Sequence, residues 1–107
     1  MTYNTIEIDI FNIPTFIINL DRSVDRLQDA KTNIENAGYK NIIRWKGIDG
    51  NEDNLEEKWN IFGNPKIKND DSRPDFNFTN GRQGCMLSHL LLWKHIVDND
   101  IPYANIF

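Results

Sequence analysis

TFIINL, residues 15–20, is the stretch that decides the fold of this chain. It is short, nearly all apolar and rich in β-branched side chains, which is typical of a strand buried on both faces of a parallel sheet. Apolar residues then recur at steps of three and four, predicting a helix that Ser23 caps and Gly38 ends. A second strand is predicted over residues 42–48. This order predicts a β-α-β crossover, and therefore an α/β fold with parallel strands.

The remaining segments extend this unit in both directions. Residues 1–14 are expected to form a leader or an edge strand, and residues 15–107 one partial domain. The polar stretch 51–80 predicts a long loop with a short helix, which is either an active-site flap or simple padding. Apolar residues cover most of the circumference of a helix predicted over 81–99, so we expect it to be largely buried. Residues 103–107 have the composition of another buried strand.

The composition of the chain narrows the range of possible functions. The chain has 107 residues, 39% hydrophobic and 26% charged, with a formal net charge of −4. This describes an ordinary soluble domain and argues against nucleic-acid binding, which favours basic surfaces. A single cysteine excludes an internal disulfide and a cysteine zinc cluster. The N-terminus lacks a basic flank followed by an apolar stretch, and no run approaches the ~20 apolar residues of a membrane span, so we expect a cytoplasmic protein. The high content of asparagine and isoleucine hints at a viral or low-GC bacterial origin.

The turn after the first strand is the first candidate site, because ligands of open α/β sheets bind beyond the carboxyl ends of the strands. Arg22 and Arg26 lie one helical turn apart, where guanidinium groups and helix N-terminal amides suit a diphosphate. Composition alone favours the alternative, in which Arg26 pairs with Asp29 or Glu35 on a solvated helix.

The end of the second strand is the other candidate. Asp49 is placed to accept from a ribose hydroxyl or a base, and Gly50 permits a close backbone approach. The simpler interpretation is a turn, because Asp-Gly is a common turn dipeptide.

The apolar helix carries two further polar candidates. Ser88 and His89 are adjacent and point about 100° apart, so they do not form a nucleophilic pair. His89 either orients a substrate, supports a metal ligand or is a hydrogen-bonded core residue. Cys85 is expected to be a packed core thiol, and His95 a solvent-side or helix-end residue.

Three segments, in this order and spacing, resemble glycosyltransferase family 25, which includes bacterial lipopolysaccharide glycosyltransferases and collagen galactosyltransferases. They are INLDRSVDR at 18–26, WKGIDG at 45–50 and GRQGCMLSHLLLWK at 81–94. The third, with its Gly-Cys-x-x-Ser-His core, is the most specific. Gly47 departs from the family, where alanine is usual, and residues 101–107 resemble the strand that follows the third segment.

The resemblance implies the N-terminal half of a GT-A-like, Rossmann-like nucleotide-sugar fold, with mostly parallel strands and flanking helices. It also implies transfer of a hexose from a UDP-sugar or related donor to a hydroxyl acceptor on a glycan or protein. The residues expected to bind the donor are Asn19, Leu20, Arg22, Arg26, Asp49, Gly50, Gly84, Ser88 and His89.

A divalent cation, Mn²⁺ or Mg²⁺, is the cofactor that the resemblance implies, since it offsets charge on the departing diphosphate. In the family its carboxylates follow the strand equivalent to 103–107 as a Glu-Asp-Asp run, and this sequence ends at Phe107. We therefore expect a truncated transferase that is either catalytically incomplete or completed by a partner chain, or else a non-catalytic nucleotide-binding or interaction module.

Overall fold

The computed structural model describes residues 8–63 and 79–107 of the protein. Its elements are β1 (Thr15–Asn19), α1 (Val24–Asn36), β2 (Ile42–Lys46), α2 (Leu55–Asn60), α3 (Asn80–Asp98) and β3 (Asn105–Ile106). The short helix expected in the long loop is α2. Residues 1–7 of the predicted leader and 64–78 of the predicted flap lie outside the described residues.

The three described strands form one parallel sheet in the order β2-β1-β3. Thr15 is the register partner of both Ile42 and Asn105. Because β1 is central, Thr15, Phe16 and Ile17 are all buried, as the sequence predicted. The β-α-β crossover and the α/β fold class are confirmed, whereas β2 and β3 are shorter than the predicted strands.

The first helix begins differently from the prediction and ends as predicted. Ser23 occupies the N-cap position of α1, but among the described residues its hydroxyl makes no capping hydrogen bond. The Ser23 carbonyl instead accepts from the side-chain amide of Asn19 at 3.0 Å. Gly38, at a φ of +107°, then turns the chain out of the helix, a conformation that residues with a Cβ rarely adopt.

The prediction that the third helix is largely buried is wrong for one side of the helix. Leu87 and Leu92 are fully buried, but Met86, Trp93 and Val97 are 43%, 51% and 72% exposed. Apolar residues run right round α3, so periodicity does not identify a buried face, and the described residues cover only one side of it. Within the described ranges, no helix is long and apolar enough to cross a membrane.

An aromatic cluster that includes His95 packs α3 on the sheet. The His95 ring lies against Trp45 with centroids 5.0 Å apart, and against Phe16 at 6.1 Å. Phe16 and Trp45 also meet edge to face at 6.3 Å. His95 is thus half-buried on the sheet face and lies in the last turn of α3, so the helix-end alternative holds and the solvent-side one is wrong. This contact brings the N-terminal half of α3 to the carboxyl ends of β1 and β2.

Candidate functional site

The backbone after β2 packs directly on the backbone of α3, with a glycine on each side. A Cβ atom on Gly50 would lie 1.8 Å from the carbonyl oxygen of Asn80. A Cβ atom on Gly84 would lie 2.6 Å from the carbonyl oxygen of Ile48. Both neighbours are main-chain atoms, so neither would move aside like a flexible side chain. Glycine is therefore required at both positions by the contact between loop and helix.

Ser88 holds the same two elements together by hydrogen bonds. Its Oγ accepts from the backbone N–H of Ile48 at 2.8 Å and donates to the carbonyl of Gly84 at 2.7 Å. The side chain is buried. Because its proton and one lone pair are both engaged, Ser88 acts as a link between β2 and α3 rather than as a nucleophile.

Asp49 lies in a turn and also in the wall of a pocket. Its N–H donates to the carboxylate of Asp53 at 2.7 Å, and its Oδ1 accepts from the N–H of Asn51 at 3.0 Å. These bonds match the turn that the Asp-Gly dipeptide predicts. They also orient the carboxylate so that Oδ2 is left for a partner outside the turn.

That partner is Arg22, which comes from the turn after β1. Its Nη1 donates to Oδ2 of Asp49 over 2.7 Å. The Arg22 side chain is 62% exposed and that of Asp49 only 14%. An ion pair with such an exposed cation contributes only ~0–1 kcal/mol, so an incoming anion would displace the carboxylate at little cost.

Arg44, which was not among the residues predicted from the sequence, organises the opposite side of the β1 terminus. Its guanidinium donates to Oδ1 of Asn19 at 3.2 Å, to the Asn19 carbonyl at 3.1 Å and to Asp21 at 2.6 Å. Lys46 adds a contact to Asp21 at 3.2 Å. The hydrogen bond from Arg44, then that from Lys46, lowers the pKa of Asp21 below its usual value. A cation within an apolar strand is the signal that would have identified Arg44.

A cavity of about 240 Å³ lies between the carboxyl ends of β1 and β2 and the first half of α3. Its apolar wall includes Ile18 and Ile48. Six of the predicted donor-binding residues line it: Leu20, Arg22, Asp49, Gly50, Ser88 and His89. Gly84 does not line the cavity but supports it through the contact with Ile48. The volume is below the ~300–1,000 Å³ of pockets that enclose a whole small ligand, so this cavity suits one part of a larger one.

A more open groove of about 440 Å³ adjoins the cavity at Arg22, which lines both spaces. Arg26 lines the groove as well, so the two arginines do share a face. Among the described residues Arg26 has no ion-pair partner, and Glu35 lies 4.0 Å from Lys31 instead. The helix-surface pairing offered for Arg26 is therefore not what the structure contains.

Asn19 is turned away from the cavity. It is 8% exposed, and its amide is engaged by Arg44 and by the Ser23 carbonyl. With Arg26 it borders a third groove, of about 270 Å³, on the α1 side of β1. Side chains alternate along a strand, so Asn19 faces the side opposite to Ile18.

Cys85 corrects another prediction, because it is exposed and lines the cavity instead of packing in the core. It lies one turn before His89, whose Nδ1 is 2.9 Å from the Cys85 carbonyl oxygen. This spacing of four residues puts both side chains on one face of α3. The spacing would have grouped Cys85 with the site from sequence.

The described residues do not suit the divalent cation that the fold implies. None of their His, Cys, Asp and Glu side chains group into a set of three or more that would hold a metal ion. Asp49, the carboxylate at the cavity, is paired with Arg22, and Asp21 is held by Arg44. No chemical step is therefore assigned to a cation at these residues.

Comparison with known proteins adds independent information. The family model described as "Glycosyltransferase family 25 (LPS biosynthesis protein)" matches residues 12–107. The "Procollagen lysyl hydroxylase and glycosyltransferase" of Acanthamoeba polyphaga mimivirus is 33% identical over 89 residues, which cover 78% of this chain and 10% of that protein. The chain thus spans about a tenth of the length of this relative. No solved structure matches the chain significantly.

Proposed function

Because the chain belongs to glycosyltransferase family 25, we propose that it binds a nucleotide-sugar donor and serves the transfer of the donor's hexose to a hydroxyl acceptor on a glycan or protein. UDP-sugars are the proposed donor class. The observation that carries the proposal is the position of Arg22, which lines both the smaller cavity and the more open groove. A nucleoside and its diphosphate need such a pair of adjoining spaces.

The cavity is assigned to the nucleoside. Ile18, Leu20 and Ile48 give it an apolar wall, against which a base or ribose ring packs. Asp49 lies at its edge with a carboxylate that accepts hydrogen bonds from hydroxyl groups. Its size, about 240 Å³, fits a part of the donor and leaves the phosphates and the sugar outside.

The groove is assigned to the diphosphate. Arg22 and Arg26 supply two guanidinium groups, the side chains best suited to bidentate contacts with phosphate. The groove also reaches Ser23 and Val24, at the N-terminus of α1, where backbone N–H groups and the helix dipole favour anions. Binding would transfer Arg22 from Asp49 to a phosphate oxygen, at a cost of only ~0–1 kcal/mol.

Donor binding is tested with Cys85, the one cysteine of the chain. Its exposed thiol lines the cavity, so its reaction with a chromogenic disulfide reagent reports on occupancy. We expect UDP and UDP-sugars to slow this reaction in a saturable way, and inorganic pyrophosphate to slow it much less. A Cys85→Ser chain provides the blank.

Thiol reactivity that no nucleotide alters, together with the absence of binding heat by calorimetry, would contradict the proposal. A second assay separates a transferase from a binding module. Release of UDP from UDP-sugars is measured with Mn²⁺ or Mg²⁺ and hydroxyl acceptors. Turnover supports the transferase, whereas saturable binding without turnover is the result expected of a non-catalytic nucleotide-binding module.

A further inference from the structure

His89 presents its two ring nitrogens in different states. Nδ1 lies 2.9 Å from the carbonyl oxygen of Cys85. A carbonyl oxygen only accepts hydrogen bonds, so this contact assigns the proton of the neutral imidazole to Nδ1. The other nitrogen, Nε2, then carries a lone pair and acts as a hydrogen-bond acceptor.

Nε2 is free to meet a ligand. Within the described ranges every buried side-chain nitrogen or oxygen has a hydrogen-bond partner. Nε2 has no such partner there, because the one hydrogen bond of the ring is made by Nδ1. Nε2 is therefore not buried, and a ligand can reach it. The ring lines the cavity and rests against Trp93 one turn later, with centroids 6.2 Å apart. Its orientation is therefore set before any ligand arrives.

Before a ligand binds, two neighbouring acceptors of the cavity have protein donors. Ser88 Oγ accepts from the Ile48 N–H, and the Asp49 carboxylate accepts from Arg22 and from the Asn51 N–H. His89 differs because it offers a lone pair, fixed in direction by the bond at Nδ1, with no protein donor facing it. Such an atom favours a ligand that places an N–H or O–H there and disfavours one that places another lone pair there.

We propose that His89 is the specificity-determining contact of the nucleoside cavity, with Nε2 accepting a hydrogen bond from an N–H or O–H of the bound nucleoside. The inference rests on the proposed function. Two nucleoside groups have this chemistry, the imide N–H of a uracil base and a ribose hydroxyl. The imide contact would select uracil over cytosine, whose corresponding ring nitrogen is itself an acceptor.

Two variants separate this contact from the structural role of the ring. In His89→Asn the amide N–H replaces Nδ1–H and keeps the bond to Cys85, but nothing replaces Nε2. In His89→Gln the longer side chain returns an acceptor oxygen near the position of Nε2. We expect His89→Asn to weaken UDP binding about tenfold, and His89→Gln to stay within about threefold of the unsubstituted chain, as for the loss and retention of one hydrogen bond.

The nucleotides used in calorimetry identify the donor group. They are UDP, CDP, UDP methylated on its imide nitrogen and the deoxyribose form of UDP. If the imide is the donor, CDP and methylated UDP bind more weakly than UDP to the unsubstituted chain, and this difference disappears in His89→Asn. If a ribose hydroxyl is the donor, the deoxyribose form binds more weakly than UDP to the unsubstituted chain, and this difference disappears in His89→Asn. Either result supports the role of His89.

The inference is overturned if the affinity of each analogue relative to UDP is the same in His89→Asn as in the unsubstituted chain. Thermal melting of each variant checks that the fold is kept. If His89→Asn does not fold, the analogue series on the unsubstituted chain decides, and equal affinity for all four nucleotides overturns the inference. Failure of every nucleotide to bind or to protect Cys85 overturns the proposed function as well, whereas UDP binding that ignores His89 overturns this inference alone.

Discussion

Arg22 and Asp49 are 27 residues apart in the sequence, and their side chains meet at 2.7 Å between the ends of two neighbouring parallel strands. The carboxylate is mostly covered and the guanidinium mostly exposed. In the proposed complex, Asp49 therefore competes with phosphate for Arg22. The pair keeps the arginine at the junction of cavity and groove while no anion is bound.

Removing this competition should strengthen anion binding. Asp49→Asn keeps Oδ1 as an acceptor for the Asn51 N–H but removes the charge that holds Arg22. We expect inorganic pyrophosphate to bind about twofold to fivefold more tightly in calorimetry, the equivalent of one exposed ion pair. Asp98→Asn, which removes a carboxylate paired with Lys94 at the far end of α3, is the control for net charge. Unchanged or weaker binding of pyrophosphate to Asp49→Asn would contradict the competition.

Arg26→Ala tests the second guanidinium of the groove. We expect UDP affinity to fall about tenfold, the typical value for the loss of one hydrogen bond to a charged group. Uridine, which has no phosphate, should bind equally well to both chains. Lys31→Ala is the matched control, because it removes a cation from the same helix at a position outside both spaces. Equal losses in the two variants would assign the effect to net charge rather than to Arg26.

Two serines that look alike in sequence should differ in their contribution to stability. Ser88→Ala leaves the part-buried N–H of Ile48 without its acceptor, which should lower the free energy of unfolding by about 1–3 kcal/mol. Ser23→Ala should cost less than the ~1 kcal/mol of an ordinary N-cap, since its hydroxyl makes no capping bond to the described part of the chain. Urea unfolding of both variants measures the difference, and the reverse order would refute the link between β2 and α3.

Asp21 should make the free energy of unfolding depend on pH. Its pKa in the folded protein is lowered by hydrogen bonds from Arg44 and then Lys46, so the ionised carboxylate favours folding. This contribution is complete above the unfolded pKa of about 3.9 and is lost as the pH falls through the lower folded value. We expect the urea midpoint to fall as the pH is lowered through the unfolded pKa and below it, and this fall to be smaller in Asp21→Asn. Identical profiles for the two chains would show that Asp21 does not contribute.

Part of the site followed from one rule about parallel sheets. Because ligands bind beyond the carboxyl ends of the strands, Arg22 after β1 and Asp49 after β2 were both candidates, and both line one cavity. Leu20 and Asn19 were expected to bind the donor only from the family resemblance. Leu20 lines the cavity, whereas the amide of Asn19 is bound to Arg44.

The third helix shows a different limit. Its apolar residues extend round the whole circumference, so sequence periodicity does not identify which side meets the sheet. As a result Cys85 was expected in the core but is exposed, and His95, expected on the solvent side or at the helix end, lies in the last turn against Trp45. The side of α3 that packs was chosen by shape, through the aromatic contacts of Phe16 and Trp45 and the close approach at Gly84.

By itself, the sequence determined the order of strands and helices, the parallel sheet and the family, because these depend on local pattern and on short motifs. Only the tertiary structure decided which charges pair. Arg22 stands beside Asp21 in the sequence, yet Asp21 turns to Arg44 and Lys46 on β2, and Arg22 reaches Asp49. Ion pairs depend on the direction in which each backbone segment points its side chains and on the competing charges nearby. Both are set by how the segments pack against one another, and no local pattern records them.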